Sequence, residues 1–233
     1  MPNPYLHYLT GYNYFMPFNS ESFINLLPSY LTASEKERLK ESLKQFKIEE
    51  QKKIVWNPKI YTDFYLNKKK DFFLQGDLVK EMRFAEWDKD KRSYEKKYIN
   101  SIILSNTCDI YITNQRIIPK QVLLAPIIPF DEFLQELKAT QAYNQQKIKE
   151  IEQSVKDQLY SNVFYLPPID NAGSKGYICS LDEIFWIPSE EFQTYLTEIN
   201  ENRITSLDHF GFYLFILKVS YHFCRLPEEE DRY

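Results

Sequence analysis

The peptide Ser105-Asn106-Thr107-Cys108-Asp109 holds the residues best suited to covalent chemistry. It follows the apolar run Tyr98 to Ser105 (YINSIILS) and so falls at a strand end, where sites are commonly built. A thiol such as Cys108 acts as a nucleophile when a base lies near it, and Asp109 can orient that base. The imidazoles on offer are His7, His209 and His222, and Asp208 beside His209 supplies a second carboxylate. Such a triad is defined by space, not chain order, so the sequence leaves it open. In the plainer reading Thr107 and Asp109 bond their own backbone in a turn while Cys108 fills the core.

A second stretch suits phosphates and bases. The loop from Glu81 to Lys97 carries Arg83, Lys89, Lys91, Arg92, Lys96 and Lys97, interleaved with Phe84, Trp87 and Tyr94. Cations meet the phosphates of a single strand and rings stack on its bases, which makes Trp87, Lys89, Lys91, Tyr94 and Lys97 candidate nucleic-acid contacts. Glu86, Asp88, Asp90 and Glu95 offset the cations, so a charged surface loop is the competing reading.

Other reactive types lack partners in the sequence. His222 and Cys224 stand two apart, which puts them on different faces of a helix, and there is no Cys-x-x-Cys pair, so no metal site is expected. Asp77 after Gly76 is either an acid or a residue closing a turn. Arg203 either binds phosphate or pairs with Glu198 or Glu201, and Arg225 suits a helix C-terminus. Lys68, Lys69 and Lys70 read as a solvated basic turn. With 5 glycines and no P-loop, dinucleotide fingerprint, nucleophile elbow or HExxH, the chain implies no cofactor.

Composition sets the frame that must position these groups. The 233 residues are 43% hydrophobic and 16% aromatic, enough for a sizeable core. The net charge of -4 excludes a uniformly basic nucleic-acid binder, so any such contact comes from a local patch. The odd set Cys108, Cys179 and Cys224 fits a reducing compartment. The opening MPNPYLHYLTGYNYF has no basic n-region or long apolar h-region, and Phe210 to Val219 is too short to span a bilayer, so the expectation is a cytoplasmic protein without membrane contact.

Residues 1 to about 31 read as an aromatic arm with a short helix from Glu21 to Leu27 capped by Ser20. Thr32 and Glu35 form a capping box for a helix from Ala33 to about Gln51, and residues 54–66 are a strand or a loop. Short β-rich runs follow: Phe72–Met82, Tyr98–Ser105, Gln121–Ile128, Asn162–Leu166, Tyr177–Leu181 and Ile184–Ile187, bounded by breakers. Phe130 to Leu159 is a helical insertion of one or two helices, and Thr205 to Phe223 an apolar helix packed on the sheet.

The order of these runs resembles the PemK/MazF-like toxin family. A Gly76-Asp77-Leu78-Val79 strand leads to a second apolar strand ending in Ser105. VLLAPII follows, then a strand ending at Leu166-Pro167, then GYICSLDEIFWIP and a terminal helix. The resemblance covers residues 72–223. It implies a small SH3-like β-barrel over residues 71–233 and leaves the first seventy residues unexplained; with the helical insertion at about 130–160 and residues 1–70 read as an N-terminal helical arm, the expected fold class is α+β. The resemblance further implies binding or metal-free cleavage of single-stranded RNA in a bacterial toxin or phage-defence setting, in which a base activates the ribose 2′-OH and a cation stabilises the phosphorane. Arg83 or Arg92 would be that cation, with Cys108 and Asp109 near the pocket. The Thr that similar ribonucleases carry after the Pro-Ile strand has no counterpart in Pro126-Ile127-Ile128. Two other readings stay open: a non-catalytic module that docks a partner protein or antitoxin, and an enzyme using Cys108. A homodimer is compatible with all three.

Overall fold

The computed structural model describes residues 64–67, 70–88, 90–111, 121–169 and 174–224, with 32–34 and 36–37 ahead of them. The expected arm, its helix at Glu21 to Leu27, most of residues 54–66, Lys68, Lys69, Lys89 and Arg225 lie outside the described residues. Of the expected helix from Ala33, residues 33, 34, 36 and 37 are described and helical, and the Thr32 carbonyl accepts from the Lys36 amide at 3.0 Å.

Among the described residues seven antiparallel strands form one sheet. They are β1 (Leu78–Asp88), β2 (Ser93–Ile103), β3 (Gln121–Pro129), β4 (Val163–Leu166), β5 (Tyr177–Ser180), β6 (Phe185–Pro188) and β7 (Arg203–Thr205), in the order β4-β5-β3-β2-β1-β7, with β6 also on β3. β3 is the hub. It pairs with β6 through residues 121–124, with β2 through 124–126 and with β5 through 127–129. The sheet is open, with β4 and β7 at its ends, rather than the closed barrel the sequence suggested. It is nonetheless coiled. Phe84 of β1 meets Phe185 of β6 at 5.1 Å between ring centroids, although β2 and β3 lie between their strands.

Helices cover both faces, as an apolar sheet surface requires. They are α1 (Thr107–Ile110), α2 (Phe130–Ala139), α3 (Gln145–Lys156), α4 (Ser189–Leu196), α5 (Ile199–Asn202) and α6 (His209–Cys224). Phe210, Leu214 and Phe215 of α6 pack with Phe64, Leu78, Ile102, Ala125, Ile127, Phe164 and Leu166. Phe133 and Leu137 of α2 and Ile148, Ile151 and Val155 of α3 close over Ile128, Val163, Tyr165 and Ile178. Phe192 of α4 and Ile110 of α1 close over Phe73, Val79, Met82, Ile103, Val122, Leu124 and Ile187. The insertion is therefore two helices. Asn144 caps the second, its side chain accepting from the Lys147 amide at 2.8 Å.

Asp208 caps α6, accepting from the Gly211 amide at 2.7 Å, so this carboxylate serves the helix start. At the outer edge of β4 the Gln158 side-chain amide imitates a neighbouring strand. Its Nε2 donates to the Tyr165 carbonyl at 2.8 Å and its Oε1 accepts from the Tyr165 amide at 3.0 Å.

Candidate functional site

The stretch read as a loop from Glu81 to Lys97 is a β-hairpin. β1 runs on past Met82 to Asp88, a turn holds Arg92 at φ 50°, and β2 returns from Ser93. A bulge between Val79 and Met82, with Glu81 at φ 51°, interrupts the ladder where the hairpin leaves the body of the sheet. Pairing beyond the bulge sets Arg83 opposite Tyr98, Ala85 opposite Lys96 and Trp87 opposite Tyr94. Side chains alternate along a strand, so these three pairs share one face of the ribbon.

That face is open to solvent and aromatic. Trp87 is 48% exposed, Tyr98 59% and Tyr94 72%. The Trp87 and Tyr94 rings meet edge to face at 5.1 Å, and the Lys96 ammonium stands 4.8 Å from the Tyr98 ring centroid. Between the two aromatic stations lie small, exposed Ala85 and, opposite it, Lys96.

Three cations of the hairpin are already matched. Arg83 pairs with Glu191 of α4, Lys97 with Glu86, and Lys91 with Glu95 and with Asp88 at 3.5 Å. The amide of Lys91, joined by that of Asp90, pulls the Asp88 carboxyl below its ordinary value, and the Glu95 carboxylate pushes the Lys91 ammonium up. Of the nucleic-acid contacts expected from the sequence, Trp87, Lys91, Tyr94 and Lys97 therefore lie on this hairpin, two of them as open rings and two as paired cations.

The Cys108 peptide sits elsewhere. α1 begins at Thr107, whose Oγ1 accepts from the Gln75 amide at 3.0 Å, and the Ser105 hydroxyl accepts from the Leu123 amide at 2.9 Å. These bonds fix the peptide against the start of β1 and of β3. Ile110 is the buried residue of α1, and Cys108 is exposed, so Cys108 does not fill the core as the plainer reading held. Its Sγ lies 3.8 Å from Asp109 Oδ1. Arg92, at the hairpin turn, is ten residues from Ile102, or roughly 30 Å of strand from the end of β2 that leads to Cys108. The structure keeps Cys108 and Asp109 together, places Arg83 midway along the ribbon against Glu191, and sets Arg92 at the far tip.

The place matching the family's Pro-Ile strand is core. Ile127 packs with the α6 layer and Ile128 with the α2–α3 layer, and both are buried. His222 near the end of α6 has its Nε2 3.7 Å from Asp182 Oδ1, whose other oxygen accepts from Asn162 at 2.6 Å.

Sequence reasoning missed two buried charges. Arg203 is fully buried, its Nε 2.8 Å from Asp77 Oδ2, and it donates to the carbonyls of Lys70 (2.6 Å) and Phe72 while lying over the Phe73 ring. It pairs with neither Glu198 nor Glu201. Asp77 also accepts from the Leu74 amide at 2.9 Å, the turn-closing role expected of it. Burial drives its carboxyl up, against the downward pull of Ser206, the Leu74 amide and Arg203. Lys218, on the apolar helix α6, is fully buried and donates to the Gln158 carbonyl at 2.6 Å. The signal for both was charge inside an apolar context, at Asp77-Leu78-Val79 and in Phe210 to Val219.

Among the described residues no group of three or more His, Cys, Asp or Glu side chains is arranged to hold a metal ion, and no helix is long and apolar enough to cross a membrane. No protein-family model matches the chain, and no curated protein and no solved structure matches it.

Proposed function

We propose that the chain is a diverged PemK/MazF-like protein, its SH3-like barrel opened into a coiled sheet, that binds single-stranded RNA in the cytoplasm without cleaving it, in a bacterial toxin or phage-defence setting. The observation that carries this reading is the exposed ribbon face with Trp87, Tyr94 and Tyr98 set around Lys96. Rings open to solvent next to a cation are what a single strand uses, since every base has a face to stack. Binding is favoured over cleavage because the candidate cation Arg92 is at the ribbon tip, Arg83 is tied to Glu191, and the place of the missing Thr is buried aliphatic core.

The test is direct. Purified protein is mixed with a labelled single-stranded RNA pool without metal, and both retention and strand length are followed. Retention with intact RNA, lost in Trp87→Ala/Tyr98→Ala, is the expected result. Shortened strands, with the cutting abolished by Arg83→Ala or Arg92→Ala, would restore the ribonuclease reading, and cutting abolished by Cys108→Ala would point to the thiol.

One observation favours a second reading, in which the ribbon docks a partner protein or antitoxin. The pairing of Arg83, Lys91 and Lys97 with Glu191, Glu95 and Glu86 takes up three of the hairpin's cations. A folded protein that retains no RNA and co-purifies with one stoichiometric partner, released by Trp87→Ala, decides for it.

A further inference from the structure

We infer that the ribbon grips a single strand mainly through its bases, at two stacking stations, with its phosphates contributing little. The inference rests on the RNA-binding reading and specifies its chemistry. One station is the Trp87–Tyr94 pair and the other is Tyr98 with Lys96 above it. Tyr94 and Tyr98 are four residues apart on β2, or about 13 Å along the strand. Ala85 and Lys96, both exposed, lie between the two stations, and the spacing lets a strand run along the ribbon with separate bases on each.

The phosphate side of the contact is weak for a structural reason. An ammonium or guanidinium already matched to a carboxylate releases few counterions when a phosphate approaches, because the partner carboxylate must first be displaced. Three cations of the hairpin are matched in this way: Arg83 to Glu191, Lys91 to Glu95 and Lys97 to Glu86. On the aromatic face Lys96 is the cation that remains for a phosphate. A duplex buries its bases against one another and offers the rings nothing to stack on, so the ribbon selects against it.

Counterion release gives a number. Each phosphate neutralised on a single strand contributes about 0.7 to the slope of log affinity against log salt. One or two phosphates therefore predict a slope of about 1, far below that of a binder that uses every cation of the hairpin. Losing a stacked ring costs about tenfold in affinity.

The experiment measures anisotropy of a labelled single-stranded RNA oligonucleotide, and of its duplex, against the full chain from about 50 to about 200 mM KCl. The expected result is a shallow slope near 1, no duplex binding, and about tenfold weaker binding in each of Trp87→Leu and Tyr98→Leu. Trp87→Phe, which keeps a ring, restores binding, and this separates stacking from a ribbon that has lost its fold. A slope above about 4, or equal affinity in Trp87→Leu with an unchanged circular dichroism spectrum, overturns base-led binding and leaves the RNA-binding reading standing. No binding to any single strand overturns both.

Discussion

Arg203 and Asp77 form an ion pair at 2.8 Å, sealed from solvent, between residues 126 positions apart in the chain. β7 brings the arginine alongside the start of β1, where Leu78 pairs with Thr205 and Val79 with Arg203. The guanidinium also holds the carbonyls of Lys70 and Phe72, so one side chain ties the last strand to the segment that leads into the first.

Removing one member of such a pair strands the other without solvent. Arg203→Met is expected to cost about 3 to 5 kcal/mol, and Asp77→Leu/Arg203→Met to recover much of that loss. Urea unfolding of the single and double variants reads both values. A loss below about 1 kcal/mol for Arg203→Met would show that water reaches Asp77.

Lys218 gives the stability a defined pH dependence. Burial lowers its ammonium to about 7, whereas in the unfolded chain it titrates near ~10.4. Between these values the unfolded chain binds more protons, so stability climbs as pH rises from about 7, with a slope of at most about 1.4 kcal/mol per pH unit. Below about 7 both forms are protonated and the contribution is level. Burial raises Cys179 and Tyr165, which oppose the trend only above ~8.5 and ~10. Urea midpoints at about pH 7 and about pH 8.5 should therefore separate in the natural chain and converge in Lys218→Met; equal separation in both would contradict the assignment.

Two glycines with nearly the same φ should respond differently to alanine. Gly176 has φ 88° and Gly76 φ 87°, which an L side chain adopts only with strain. At Gly176 a Cβ would also fall 2.2 Å from the Leu166 carbonyl oxygen, whereas at Gly76 the nearest atom is a side-chain methyl of Leu207 at 3.0 Å. Gly76→Ala is expected to cost about 1 to 2 kcal/mol and Gly176→Ala clearly more, because backbone cannot step aside as a methyl can. Thermal unfolding of the two variants ranks them, and the reverse order would refute the clash.

The thiols should differ in reactivity. Cys108 is exposed, and Cys179 is buried with its thiol pushed well up by burial. Under native conditions a maleimide should label Cys108 at once and Cys179 only on unfolding, as mass spectrometry of the labelled peptides would show. Fast native labelling at Cys179 would mean that the layer between α6 and the sheet opens.

The inner strands were legible because their burial writes itself into the chain. Gln121–Ile128, Asn162–Leu166 and Tyr177–Leu181 are apolar runs ended by breakers, and each became a strand within a residue or two. The outer half of the hairpin was not legible. Beyond Met82 it meets the rest of the fold through Phe84 on Phe185 and Arg83 on Glu191, and charged and aromatic residues occupy both faces, so no alternation marks it. α4 and β7 were missed because eight and three residues are too few for a period to show. Sheet closure depends on the coil of the sheet and on where its end strands stop, which no local pattern encodes. Cys108 and Asp109 follow the end of β2 at Ile103 but lie in α1, too short for its period to show, while the partner of Arg203 was sought in the neighbouring glutamates because sequence distance says nothing about pairing across a sheet.

The carboxamide of Gln158, laid along Tyr165, has an outcome for copies of this chain meeting in a crowded cell. A bare strand margin invites another chain to stitch on and propagate. With its donor and acceptor at Tyr165 already engaged, β4 gives such a newcomer little to hold, and runaway stacking is discouraged there at the expense of a single polar residue.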